Sequence, residues 1–105
     1  MDEINNVNKI DEVLSKKDKL VLCIYDENCI VSNMFLSLMK KIEFCEIKNA
    51  LVYMIKKTIF EEYGFKKNMI TPKIIVYEEG IIVSEIDGFM NYNCLNNELK
   101  KYKLC

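Results

Sequence analysis

The chain has 105 residues, of which half are hydrophobic and 30% are charged. That is one ordinary domain with enough apolar surface for a core, which excludes a disordered chain, a multidomain enzyme and a disulfide-dependent miniprotein. Fifteen basic residues stand against sixteen acidic ones, for a net charge of −1. There is no basic excess to neutralise phosphates, so nucleic-acid binding is not expected. Arginine and histidine are both absent, and with them the bidentate carboxylate clamp, the usual general base and the commonest metal ligand.

Ile4, Val7, Ile10, Val13 and Leu14 recur at helical spacing. They predict a helix ending near residues 15–19, with residues 4–7 open to a short edge strand instead. Leu20 to Tyr25 is a continuous apolar run, the pattern of a strand covered on both faces. Asp26-Glu27-Asn28-Cys29 is a polar break. Ile30, Val31, Met34, Phe35, Leu38, Met39 and Ile42 then repeat every three or four residues, and Lys40 and Lys41 suit the C-terminal end of that helix. Residues 50–55 form a second strand-length apolar run. Thr58 and Glu61 have the spacing of a capping box for a short helix over 59–63, which Gly64 would end. Lys73 to Tyr77, the turn Glu79-Gly80 and Ile81 to Ile86 read as a hairpin that Gly88 closes. Cys94, Leu95, Leu99, Tyr102 and Leu104 make an amphipathic tail helix. The order is β-α-β-α-β-α-β-β-α with the first strand optional. It predicts a single α/β domain: a mixed four- or five-stranded sheet with helices on both faces.

The longest apolar runs fall far short of the ~20 residues that span a bilayer. The acidic start, Met1-Asp2-Glu3, has no apolar segment of the signal-peptide kind. A cytoplasmic location away from membranes is expected. The five cysteines are Cys23, Cys29, Cys45, Cys94 and Cys105. An odd number in a reducing compartment argues against a disulfide framework, and no two have the C-x-x-C spacing. Without paired ligand spacings or histidine, no metal site is expected.

Cys29 falls between a strand and a helix start. Unpaired first-turn N–H groups and the helix dipole favour thiolate there, and such cysteines have pKa values of about 3.5–7.5. Ser32 lies one turn on, where its hydroxyl can face the same sulfur. Pro72, the only proline, stands just before a strand, where a missing N–H is harmless.

These residues together resemble the thioredoxin superfamily over nearly the whole chain. The segment KLVLCIYDENCIVS is similar to that family's strand, active-site loop and helix start, and MITPKIIVYEEGIIVSEIDGF to its cis-proline loop, hairpin and following glycine. FEEYGFKKNMITP carries the family's Tyr-Gly ahead of the proline. The resemblance implies a thioredoxin-like three-layer sandwich with Cys29 as the nucleophile. It also implies a cis peptide at Thr71-Pro72, and Thr71, Pro72, Asn28 and Ile30 as substrate-contacting residues. The departures are specific. The family's Cys-Gly-Pro-Cys is here Cys29-Ile30-Val31-Ser32, its preceding Trp is Asn28, and its buried acid six residues before the nucleophile is Cys23. Ser32 forms no disulfide, so it cannot expel a substrate from a mixed disulfide. The resemblance therefore implies a monothiol exchange protein in which Cys29 and Ser32 carry the chemistry. It would have no cofactor and would use a low-molecular-weight thiol such as glutathione as co-substrate. The alternative is a thioredoxin-fold binding module that has lost catalysis. The expected partner is a protein thiol, a protein disulfide or a partner protein, met by a monomer.

Of the other cysteines, Cys23 reads as a small core residue that could approach Cys29. Cys45 falls just after the active-site helix, Cys94 serves packing, and Cys105 is exposed and incidental. Met34, Met39 and Met54 read as core filler, and the Lys-Lys pairs at 16–17, 40–41, 56–57, 66–67 and 100–101 as solvated faces.

Overall fold

The computed structural model describes residues 2–16, 19–45, 50–64, 70–88 and 92–101. The elements run β1 (Asp2–Ile4), α1 (Asn8–Leu14), β2 (Leu20–Tyr25), α2 (Ile30–Cys45), β3 (Leu51–Lys56), α3 (Lys57–Glu62), β4 (Lys73–Glu78), β5 (Ile81–Asp87) and α4 (Tyr92–Lys101). Five strands form one mixed sheet in the order β1-β3-β2-β4-β5. β1 and β2 lie parallel to β3, β4 is antiparallel to β2, and β5 is antiparallel to β4.

The unbroken apolar run of β2 is explained by burial on both faces. Val21, Cys23 and Tyr25 point into one core with Phe35, Leu36 and Met39 of α2 and Leu95 of α4. Leu20, Leu22 and Ile24 point into a second core with Ile10 and Val13 of α1 and Phe60 of α3. β4 divides in the same way, Ile74 and Val76 to the first core and Ile75 and Tyr77 to the second. The sheet is thus the middle of three layers, and side-chain alternation along each strand feeds both outer layers.

The hairpin turns on two residues with positive φ, Glu79 at 54° and Gly80 at 80°. That is the type I′ combination whose twist matches the flanking strands. The register between β4 and β5 slips by one residue at Val76/Tyr77, leaving Val83 as an extra residue on the edge strand.

Four local expectations are corrected. The edge strand is residues 2–4, not 4–7, because the β3 register places Asp2 opposite Tyr53 and Ile4 opposite Ile55. α2 continues past Lys40 and Lys41 to Cys45, so those lysines are not its last turn and Cys45 ends the helix instead of following it. There is no capping box at Thr58: α3 begins directly where β3 ends, with extended Lys56 at the N-cap and no side-chain cap. Thr58 is therefore already inside the helix. On α2 the buried face is Ser32, Phe35, Leu36 and Met39, while Val31 and Met34 are exposed. The apolar stripe is wider than the buried one, and its N-terminal part faces outward. Tyr102, Leu104, Cys105 and the Lys66–Lys67 pair lie outside the described residues.

Candidate active site

The loop that carries Cys29 is shaped by Asp26. The Asn28 N–H donates to the Asp26 carboxylate (3.0 Å) and the Cys29 N–H to the Asp26 carbonyl (3.0 Å). This side-chain-closed turn reverses the chain as it leaves β2. Helix α2 then starts at once: the Asn33 N–H donates to the Cys29 carbonyl at 3.1 Å. Cys29 is thus the N-cap residue of α2, and its half-exposed sulfur takes the place of a capping oxygen. The N–H groups of Ser32 and, less strongly, Val31 are directed at that sulfur and hold the Cys29 thiol below its ordinary range. Partial burial and the Asp26 charge work weakly the other way, and the Ser32 hydroxyl adds a smaller lowering effect.

Ser32 itself is fully buried, and its Oγ makes no hydrogen bond of normal geometry. Its effect on the Cys29 thiol is smaller than that of the backbone N–H groups of Ser32 and Val31, which do most of the lowering. A buried hydroxyl left without a partner costs about 1–3 kcal/mol.

Register brings the second half of the site to the same place. Lys73 lies opposite Ile24, so Pro72 is level with Tyr25, where β2 gives way to the Cys29 loop. The Thr71–Pro72 peptide is cis, Pro72 is buried, and the Gly88 N–H donates to the Pro72 carbonyl at 2.9 Å. Asn28 is exposed, and Ile30 is 78% exposed at the first position of α2. Met34 is 56% exposed one turn beyond Ile30, and Ile70, next to Thr71, is 66% exposed. Met34 is therefore surface, not core filler. Apolar side chains flank Cys29 from the helix and also precede Thr71 in the neighbouring loop.

Cys23 is fully buried in the core under α2, as expected of a small core residue. Cys94 is exposed near the start of α4, and its neighbour Leu95 is the residue that packs. The packing role assigned to Cys94 therefore belongs to Leu95, one residue round the helix. Cys23, Cys29 and Cys94 are thiols. Among the described residues no group of three His, Cys, Asp or Glu side chains is gathered so as to hold a metal ion, and no helix is long and apolar enough to cross a membrane.

Three polar features around the site have no simple sequence signature. A cleft of about 220 Å³ opens beside the loop, between Tyr25, Glu27 and Asn28 on one side and Lys56, Lys57 and Glu61 on the other. Across it Lys56 pairs with Glu27 at 3.2 Å. Lys56 is therefore not simply a solvated lysine, and neither is Lys16, which donates to the Tyr53 hydroxyl at 2.9 Å. Secondly, the Tyr25 hydroxyl donates to Glu3 at 3.0 Å, and burial, reinforced by Glu3, pushes its pKa up to about 12. Thirdly, Lys73 directly follows the cis-proline and is only 8% exposed, yet reaches Glu85 at 3.3 Å and Asp87 at 3.1 Å on β5. Burial pulls its ammonium down, but Asp87 and Glu85 outweigh that and hold it above its usual range. Each feature joins residues distant in the chain, brought together by strand register and, at Glu27, by the loop that leaves β2. Alternation does place Lys73 on the same face as Ile75, which is the one clue the sequence carries.

No protein-family model matches the chain, and a search of curated proteins finds no match. Solved structures do match it over nearly its whole length. Oxidised thioredoxin from Plasmodium falciparum is 16% identical, with 97% of each chain covered and a TM-score of 0.81. Oxidised mitochondrial thioredoxin 3 from Saccharomyces cerevisiae is 16% identical, covering 96% of this chain and 94% of that one, with a TM-score of 0.79. A point-mutant thioredoxin from Halobacterium salinarum is 19% identical, covering 96% and 88%, with a TM-score of 0.72. The chain has the thioredoxin fold.

Proposed function

We propose that this chain is a thiol–disulfide exchange protein that works through one nucleophilic cysteine, Cys29. The observation that carries the reading is the N-cap position of that sulfur, half-exposed and facing the N–H groups of Ser32 and Val31. The Cys29 thiolate attacks a substrate disulfide, forms a new S–S bond with one sulfur and releases the other as thiolate. Position 32 offers a hydroxyl and no second thiol, so the mixed disulfide waits for an external thiolate. A low-molecular-weight thiol attacks it, takes the substrate sulfur and returns Cys29 as thiolate. No bound cofactor or metal enters.

The substrate is a protein thiol or disulfide in an extended segment. The backbone of Thr71 beside Pro72 pairs with it as an added strand, while Asn28 and Ile30 contact the residues flanking its sulfur. The exposed side chains of Ile30, Met34 and Ile70 favour apolar residues near that sulfur. The chain acts as a single domain and a monomer in the cytoplasm, without nucleic acid or membrane.

The test uses insulin as the disulfide substrate, with thioredoxin reductase for recycling. The expected result is slow turnover and an isolable Cys29–insulin adduct, which added glutathione dissolves. Ser32→Cys should raise turnover, since residues three apart on a helix share a face. Rapid turnover by the unaltered protein without added thiol would contradict the single-cysteine mechanism. If Cys23→Ser then stopped it, the resolving residue would be Cys23. Failure to form any adduct would favour a binding module instead.

A further inference from the structure

In the exchange reaction the Ser32 hydroxyl adds only a small share to the lowering of the Cys29 thiol, most of which comes from backbone N–H groups. Its hydroxyl is fully buried and lacks a hydrogen-bond partner of normal geometry. Buried hydroxyls are normally satisfied, so an orphan donor beside a reactive group marks a place prepared for an acceptor. The place is the N-terminus of a sixteen-residue helix, where the N–H groups of Val31 and Ser32 already converge on the Cys29 sulfur. Three donors thus surround one sulfur whose outer side is open to solvent. A thiolate sulfur is a large, diffuse acceptor and leaves the hydroxyl poorly used. An oxygen bonded to that sulfur is smaller, carries more charge and has further lone pairs for the same donors.

We propose that Cys29 is also a hydroperoxide-reactive cysteine, whose sulfenate oxygen is held by the Ser32 hydroxyl and the N–H groups of Val31 and Ser32. The thiolate attacks the terminal oxygen of a hydroperoxide. An S–O bond forms, the O–O bond breaks, and the alkoxide or hydroxide leaves with a proton from solvent as alcohol or water. The sulfur is oxidised by two electrons and the peroxide is reduced by two. With no thiol at position 32, the sulfenate does not condense there to a disulfide. An external thiol attacks its sulfur, giving a mixed disulfide and water. A second thiol then releases Cys29 and carries away the small disulfide. The inference shares only the Cys29 thiolate with the exchange reading. It needs no substrate disulfide and no groove at Thr71–Pro72.

The experiment treats the reduced 105-residue chain, freed of reductant, with equimolar hydrogen peroxide. Sulfenate is trapped with dimedone at timed intervals and mapped by peptide mass spectrometry. Disulfide exchange with a chromogenic aromatic disulfide is measured in parallel. Dimedone should mark Cys29 well before Cys94 or any other cysteine. In Ser32→Ala the sulfenate lifetime should fall about tenfold, the effect of one lost hydrogen bond to a charged oxygen. Ser32→Thr, which keeps the hydroxyl, should recover most of it. Ser32→Ala removes an orphan group and should fold normally, which its circular dichroism checks. Brisk disulfide exchange with Cys29 inert to peroxide would overturn the inference and leave the exchange reading standing. Oxidation of Cys29 without exchange would do the reverse. A sulfenate equally long-lived in Ser32→Ala, or one that collapses at once into a Cys23–Cys29 disulfide, would overturn the role given to Ser32.

Discussion

Lys73 is a buried ammonium whose partners are not buried, and that asymmetry gives a quantitative test of how the cis-proline end of the sheet is held. The Lys73 side chain is 9% exposed, while those of Glu85 and Asp87 are 49% and 53% exposed. Lys73→Met keeps the stem packed in the sheet and leaves two carboxylates that water can reach. Exchanging a buried charge for an apolar group of similar shape is often neutral, so the expected loss is about 0–1 kcal/mol. The converse double variant, Glu85→Ala with Asp87→Ala, strands the ammonium. A fully buried unpaired charge costs about 3–5 kcal/mol, and the nearby edge strand admits some water, so about 3 kcal/mol is expected. Urea unfolding followed by far-ultraviolet circular dichroism at neutral pH measures both. The pH dependence supplies an independent sign. In the unaltered protein the Lys73 pKa is raised, so its contribution is full below the unfolded value and is lost as pH rises through the folded one. Without the carboxylates only burial acts and the pKa is depressed. The stability deficit of the double variant should then shrink as pH rises towards about 10.4, the ordinary lysine value. A larger loss from Lys73→Met than from the double variant would refute the assignment of the burden to the ammonium.

Phe60→Ala should destabilise by about 3–5 kcal/mol, because Phe60 is fully buried and is the α3 residue that enters the core beneath β2; the same urea titration reads it. Alkaline pH should unfold the domain through its tyrosines. Burial, ahead of nearby carboxylates, raises Tyr25 and Tyr77 to about 12. The unfolded chain therefore loses these protons first, and stability should fall between about pH 10 and 12, by about 1 kcal/mol per pH unit for each tyrosine. Phenolate absorbance should rise together with the loss of circular dichroism. Early ionisation of all the tyrosines in a still-folded chain would contradict it.

Much of the fold was legible because burial on both faces leaves a plain mark. β2 runs over the six residues of its apolar stretch, and the hairpin turns at Glu79-Gly80, where positive φ is needed. The place of Cys29 at the start of α2 was legible for a similar reason, since a polar break between a buried strand and an apolar helix fixes a helix N-terminus. The misplaced features each depend on a neighbour distant in the chain. Three residues suffice for β1 only because β3 receives them. Lys56 starts α3 as an extended N-cap because β3 ends there, so the capping spacing of Thr58 and Glu61 had no helix start to cap. The apolar stripe of α2 is wider than its contact with the sheet. Periodicity therefore could not tell that Val31 and Met34 face outward while Ser32 faces in. The pairing of Lys73 with Glu85 and Asp87 follows from strand register, which residue spacing does not encode.

Both reactions proposed for Cys29 require that the start of α2 favour its thiolate. The direct measurement is the rate of iodoacetamide alkylation at Cys29 as a function of pH, with the other four cysteines replaced by serine, and by valine at buried Cys23. The N–H groups of Ser32 and Val31 lower the Cys29 pKa. The profile should therefore have its midpoint below that of a free cysteine measured in parallel. A midpoint at or above that value would contradict the account, because Cys29 would then be only a helix-start residue.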